Sequence, residues 1–234
     1  MISRDWDRED RTSTMSSARE SEEQPRSTGQ VEGVVFCGGK SRRMGTDKAE
    51  LETPGRIGIT LLENAIAILD GVADSVVLAT GEAPRYESLG RACVLDREAG
   101  AGPLAGLASA LARTEATWLC ALACDMPDVD SHLFAGLLKY AMEHDLDACL
   151  LETSGGVEPL CAVYRNTCRE AVRRALDRGE RKMVSFHESE LRVGTLDAAA
   201  LTGSDDCAKN LNTRADYARV VESERPRNSG GESS

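Results

Sequence analysis

Gly33-Val34-Val35-Phe36-Cys37-Gly38-Gly39-Lys40-Ser41-Arg42-Arg43-Met44-Gly45-Thr46-Asp47-Lys48 is the stretch from which the architecture can be read. A short apolar run, rich in β-formers and without polar alternation, predicts a strand buried on both faces. It empties into eleven residues, Gly38 to Lys48, that hold three glycines and four cations. Outward from this stretch the same grammar repeats. A helical pattern over Leu61–Leu69 precedes strands at Ser75–Thr80 and Cys93–Leu95, a helix opening at Pro103, and a strand at Trp118–Cys124. A helix at Ser131–Glu143 and strands at Ala148–Leu151 and Val157–Tyr164 come next, then a helix at Cys168–Arg178, a strand at Leu191–Leu196 and a last helix from about Thr213. Thr60-Leu61-Leu62-Glu63 has the form of a capping box, and Pro103 suits a first helical position. Apolar strands alternating with crossover helices predict an α/β fold, a three-layer sandwich with a largely parallel, Rossmann-like sheet and helices on both faces.

The 234 residues suit one sizeable domain. Residues 1–30 carry five apolar side chains against nine Ser/Thr and twelve charges, and 222–234 carry no large apolar residue, so both are expected to be disordered tails around a domain at 31–221. With 39 acidic and 28 basic side chains the formal charge is −11, which disfavours nucleic acid as a partner. No apolar run approaches the roughly 18 residues of a membrane span, and the N-terminus has no secretory pattern, so a cytoplasmic location is expected. The eight cysteines show no C-x-x-C pair, and they read as small buried hydrophobes rather than as disulfide or zinc ligands.

In open α/β sheets ligands collect beyond the carboxyl ends of the strands. Three such ends are conspicuous. The glycine-cation loop can cradle a phosphate, because glycines let backbone N–H groups approach an anion and Lys or Arg neutralises it. It is neither a P-loop nor a dinucleotide fingerprint, and an ordinary strand-to-helix turn stays open. Asp96 and Asp125 each come directly after a strand, and one or two carboxylates plus phosphate oxygens suffice for magnesium; turn or cap chemistry is the alternative for each. Gly100 to Gly106 leads into a helix N-terminus that could face a phosphate or a base, or serve only close packing. The helix Cys168–Arg178 and its loop are locally basic. Arg169, Arg173 and Arg174 read as a solvated, ion-paired face, and Arg181 and Lys182 read as anion contacts.

Taken together these residues resemble nucleotidyltransferases, specifically the molybdenum cofactor guanylyltransferase family. The resemblance rests on Phe36 to Ala49, Asp96, Gly102-Pro103-Leu104-Ala105-Gly106, Cys124-Asp125-Met126-Pro127, Pro159 to Tyr164, Gly179 to Lys182 and Asn210-Leu211-Asn212-Thr213, in family order over about residues 31 to 221. It implies Mg²⁺-dependent transfer of GMP from GTP to the terminal phosphate of molybdopterin, with pyrophosphate as the other product. By position it implies that Lys48 and Arg43 hold the triphosphate and that Asp125 binds magnesium, these three being the catalytic set. Phe36, Cys37, Gly38, Gly39, Thr80, Asp96 and Gly102 would contact the nucleotide, and Arg181, Lys182, Asn210 and Asn212 the acceptor. Molybdoenzymes or their chaperones stand as candidate partners. The chain departs from the family pattern at Phe36-Cys37, at Ala79-Thr80 where Asn is frequent, at Thr53 to Ile59, and at Glu158 where His is common. The alternatives are a molybdopterin cytidylyltransferase, another nucleotidyltransferase with a phosphorylated acceptor, and a non-catalytic module that delivers cofactor; Gly38-Gly39 favours guanine by the same resemblance.

Overall fold

A strand at the centre of a parallel sheet is covered on both faces, and the sequence meets that requirement at two places. The computed structural model describes residues 30–38, 47–98, 100, 102–187 and 190–224. In it β1 (Val31–Phe36) buries Val34 and Val35 completely. A 3-10 turn at Lys48–Glu50 and a hairpin of β2 (Glu52–Thr53) and β3 (Arg56–Thr60) lead into α1 (Leu61–Asp70). Then come β4 (Ser75–Gly81), a 3-10 turn at Glu87–Leu89, β5 (Cys93–Leu95), α2 (Pro103–Arg113) and β6 (Trp118–Ala123). All six residues of β6 are buried. α3 (Ser131–Glu143), β7 (Ala148–Thr153), β8 (Gly156–Arg165), α4 (Cys168–Asp177), β9 (Val193–Asp197), α5 (Ala198–Thr202) and α6 (Arg214–Glu224) complete the order.

The main sheet runs β5-β4-β1-β6-β8-β7-β9. β1 pairs in parallel with β4 and with β6, while β8 runs antiparallel to its neighbours β6 and β7. Two apolar cores flank the sheet. α1 and α3 bury Leu62, Ile66, Phe134 and Leu137 against one face, and α2 and α4 bury Leu104, Leu107, Val172 and Leu176 against the other. At about 1.5–3 kcal/mol per fully buried aliphatic side chain, these helix faces supply the driving force that fixes the layers. The three-layer α/β expectation holds.

Two details differ from the reading of the sequence. The segment Thr53 to Ile59 forms the β2–β3 hairpin around Pro54-Gly55, with Gly55 at φ 68° as a Pro-Gly turn requires. Its strands are too short and too exposed to carry a period-2 signal. α6 continues to Glu224, past the boundary read at 221. Residues 1–29 and 225–234 lie outside the described residues. All eight cysteines are free thiols, six of them buried. Among the described residues no helix is long and apolar enough to cross a membrane.

The capping box of α1 is present in both directions. Thr60 N–H donates to Glu63 Oε2 at 2.8 Å, and Glu63 N–H donates to Thr60 Oγ1 at 3.2 Å. The Thr60 backbone and then its hydroxyl hold the Glu63 carboxyl below its ordinary range. A carboxyl depressed in the folded state stabilises above its unfolded pKa, and that contribution fades as pH falls through the lowered value. Thr60→Ala should therefore lower stability by about 1 kcal/mol at neutral pH, seen as an earlier urea midpoint at constant slope. The deficit should shrink as pH falls through the lowered Glu63 value; a midpoint equal to that of the parent protein would remove the cap from the account.

Candidate functional site

β1 connects onward to β4 on one side while β6 lies on its other side, so the sheet order reverses between β1 and β6. A crevice opens at such a switch point, beyond the carboxyl ends of the strands. Here it is a cleft of about 850 Å³, within the usual range for a small-molecule site. Phe36, Cys37, Gly38, Lys48, Thr80, Asp96, Gly102, Asp125 and Asn212, each singled out in the sequence, all line it. Their convergence comes from register: Phe36 pairs with Ala79 and with Ala123, so the residues just past each of these strands meet at one edge.

The floor is built without side-chain bulk. The N–H groups of Cys37 and Gly38 both donate to Ala79 O, at 3.1 and 2.8 Å. A Cβ on Gly38 would lie 2.6 Å from Gly81 N, so only glycine lets β1 leave the sheet against that backbone. With both amides spent on Ala79, neither N–H is left to donate to a ligand at Cys37 and Gly38. The Cys37 thiol also donates to Ala79 O, and burial pushes its pKa up to about 12, so it is no nucleophile at neutral pH. Gly106 brings α2 close to the Phe36 ring; a Cβ there would lie 2.9 Å from the ring edge. Gly102 opens α2 with no side-chain cap, leaving the helix N-terminus toward the cleft. The Asp96 carboxyl is raised above its ordinary value, by burial first and by the Glu82 charge second. Thr80 is buried and its hydroxyl donates to Ala83 O at 2.8 Å, so it holds the β4 turn.

Opposite the glycine floor three distant residues meet. Lys48 Nζ donates to Asp125 Oδ2 at 3.0 Å and to Asn212 Oδ1 at 3.2 Å, across 77 and 164 residues of chain. The Lys48 and Asp125 side chains are only 18% and 17% exposed, so the pair is poorly screened by water. Two further bonds hold the arrangement: Leu211 N–H donates to Asp125 O at 2.9 Å, and the buried Asn64 side-chain Nδ2 donates to Pro127 O at 3.1 Å. A carboxylate and an amide oxygen aimed at one ammonium form a cation-accepting corner.

Other candidate residues stand apart from the cleft lining. Asn210 donates to Glu158 Oε2 at 3.5 Å. The Glu158 carboxyl is raised by burial, which the Asn210 bond partly offsets and the Asp125 charge reinforces. The Arg181 guanidinium donates to Leu176 O and Glu180 O and pairs with Glu98 at 3.4 Å, while Lys182 is exposed. Arg169 binds Leu111 O and Thr114 O at the end of α2, and Arg173 is tied to Glu170 and Asp177 on the surface of α4. Gly39 and Arg43 lie outside the described residues.

Sequence reasoning missed Asp47, Arg85, Tyr86 and Asn64. Asp47 accepts from Ala49 N–H at 3.2 Å, and its other oxygen meets the Arg85 guanidinium and the Tyr86 hydroxyl. Nothing in local spacing links residues 47 and 85. The available signal was the position of Asp47 before Lys48, an N-cap residue opening a turn.

The chain matches the MobA-like NTP transferase domain over residues 33–192. A protein from Opitutus terrae named "Probable molybdenum cofactor guanylyltransferase" is 34% identical over 173 residues, 72% of this chain and 83% of that protein. A molybdenum cofactor guanylyltransferase from Shewanella halifaxensis is 31% identical over 189 residues, 80% of this chain and 91% of its own length. The crystal structure of molybdopterin-guanine dinucleotide biosynthesis protein A from Archaeoglobus fulgidus superposes with a TM-score of 0.69 at 25% identity, covering 82% of this chain and 97% of that one. The matched span holds most of β1, the Lys48 turn and the Asp125 strand end, so the chain belongs to the MobA-like NTP transferase family.

Proposed function

We propose that the protein is a molybdenum cofactor guanylyltransferase, transferring GMP from GTP to the terminal phosphate of Mo-molybdopterin and releasing pyrophosphate. The observation that carries this reading is the corner where Lys48 meets Asp125 and Asn212, at the switch-point cleft of a MobA-like chain. An acceptor phosphate monoester has a second pKa near 6 and is mostly ionised at neutral pH, so no general base is needed. The work of the site is then positioning and charge compensation.

Nucleotide binding falls to the β1 end and the start of α2. In this assignment the backbone of Cys37 and Gly38 contacts the base, with Asp96 as an acceptor and Phe36, packed on Gly106, as an apolar wall. The Lys48 ammonium reaches the triphosphate from the opposite wall, where phosphate oxygens replace the Asp125 carboxylate as its partner. Arg43 adds a second positive charge in this assignment. Asn210, Asn212, Arg181 and Lys182 are assigned to the acceptor side, and delivery to molybdoenzymes or their chaperones is the expected next step. A cytoplasmic location goes with GTP as donor.

The donor set also fits magnesium. Asp125 and Asn212 present two hard oxygens to one cation, here the lysine ammonium, and magnesium takes one or two protein oxygens with phosphate and water completing its shell. Bound there it would supply charge neutralisation at the α-phosphate and the departing pyrophosphate.

The direct test is incubation with Mg²⁺, Mo-molybdopterin and either GTP or CTP, tracking pyrophosphate release and nucleotide incorporated into the pterin. GTP-specific, acceptor-dependent release is expected; release with CTP alone would reassign the base, and binding without turnover would reassign the acceptor. Asp125→Asn, which keeps an oxygen for Lys48 but loses the charge, should lower turnover on the order of a hundredfold or more with little change in thermal stability. Lys48→Ala should cost a comparable factor in kcat/KM for GTP. Chelation with EDTA should abolish turnover and added Mg²⁺ restore it, whereas full activity in EDTA would remove the metal from the mechanism.

A further inference from the structure

The geometry points to Arg85 and Tyr86 as positioning residues that act through Asp47 to hold Lys48 in the cleft. Tyr86 Oη donates to Asp47 Oδ2 at 2.6 Å, and the Arg85 guanidinium binds the same oxygen. The other oxygen, Oδ1, accepts Ala49 N–H at 3.2 Å and so caps the single turn Lys48–Glu50. One carboxylate therefore joins two structures: the β4–β5 connection, which carries Arg85 and Tyr86, and the turn that presents Lys48. The ammonium then spans to Asp125 and Asn212. A single turn has little stability of its own, and its orientation is set by whatever fixes its cap.

A second observation supports the assignment. Tyr86 sits at φ 60°, ψ 35°, a left-handed conformation that costs a bulky aromatic residue free energy. The surrounding structure over-determines it: Leu89 N–H donates to Tyr86 O at 3.0 Å, Cys93 Sγ donates to Arg85 O at 3.4 Å, and the Arg85 guanidinium lies 4.8 Å from the Tyr86 ring centroid. The conformation aims the phenol at Asp47, with the guanidinium stacked on the ring as it meets the same carboxylate. Burial raises the Tyr86 pKa, so the phenol stays a donor at neutral pH.

The assignment rests on Lys48 being the triphosphate residue, and its test is arranged to stand apart from that reading. Substoichiometric acetic anhydride is applied to the intact protein without nucleotide, and acetylation of Lys48 is compared by peptide mass spectrometry with that of the exposed Lys139. Tyr86→Phe, which keeps the ring and loses one bond to a charged group, should raise Lys48 labelling about tenfold relative to Lys139. Arg85→Ala should do the same, and Arg85→Lys, which keeps the cation, should recover part of the protection. In GTP turnover, Tyr86→Phe should lower kcat/KM in the parent background and have little further effect in Lys48→Ala, since residues acting through one another are not additive. Unchanged Lys48 labelling in a Tyr86→Phe protein of parental melting temperature would overturn the assignment, and so would losses that add fully to Lys48→Ala. A protein that failed to use GTP would sink the guanylyltransferase reading, while the labelling ratio would still decide this one.

Discussion

Everything at the cleft depends on β1 being paired in parallel on both sides. Parallel pairing sends neighbouring strands out of the sheet at the same edge, and the register of Phe36 with Ala79 and Ala123 sends them out level. The segments beyond the strand ends are thereby gathered at one place: the glycine floor after β1, the Thr80-Gly81 turn at the end of β4, and Asp125 after β6. The apolar residues of β1 and β6 show no chemistry, yet they set where the chemistry is. Had β6 paired antiparallel to β1, Asp125 would stand at the far end of the sheet.

The electrostatics of the corner come from partial burial. An ammonium and a carboxylate with less than a fifth of their side chains exposed attract more strongly than a surface pair, but both have lost hydration. Asn212 returns part of that loss by offering Lys48 a second oxygen. A polyphosphate can replace the carboxylate against Lys48, and a cation can replace the ammonium against Asp125, without either charge being left bare.

Much of this was legible in the sequence. Val34, Val35 and the uninterrupted apolar run of β6 announce central strands, and Thr60 with Glu63 announces the start of α1. Asp96 and Asp125 could be named because each closes a strand and Lys48 because it ends the glycine-cation loop, whereas Asn212 could be named only through the family resemblance. The β2–β3 hairpin was not legible, since its residues are mostly exposed and a Pro-Gly turn alone does not specify two strands. Nor could the Asp47 contacts to Arg85 and Tyr86 be read, because the partners are 38 and 39 residues apart and the phenol is aimed by a left-handed backbone that no local rule predicts. The basic helix α4 was legible in part. A solvated, ion-paired face is what its arginines suggest, and Arg173 is spent on Glu170 and Asp177 of its own helix, whereas Arg169 instead closes the end of α2 on two backbone carbonyls.

The span of 164 residues between Lys48 and Asn212 also sets a clock on biosynthesis. At about 5–20 residues per second, a ribosome needs roughly 8–33 s to travel from one to the other. During that interval the nascent chain carries Lys48 and, after 77 residues, Asp125, but lacks the oxygen that completes the corner. β8, which covers the outer edge of β6, is also made late in that window. A growing chain thus holds both members of its internal ion pair well before it holds Leu211 and Asn212, the residues that fix Asp125 and complete the corner.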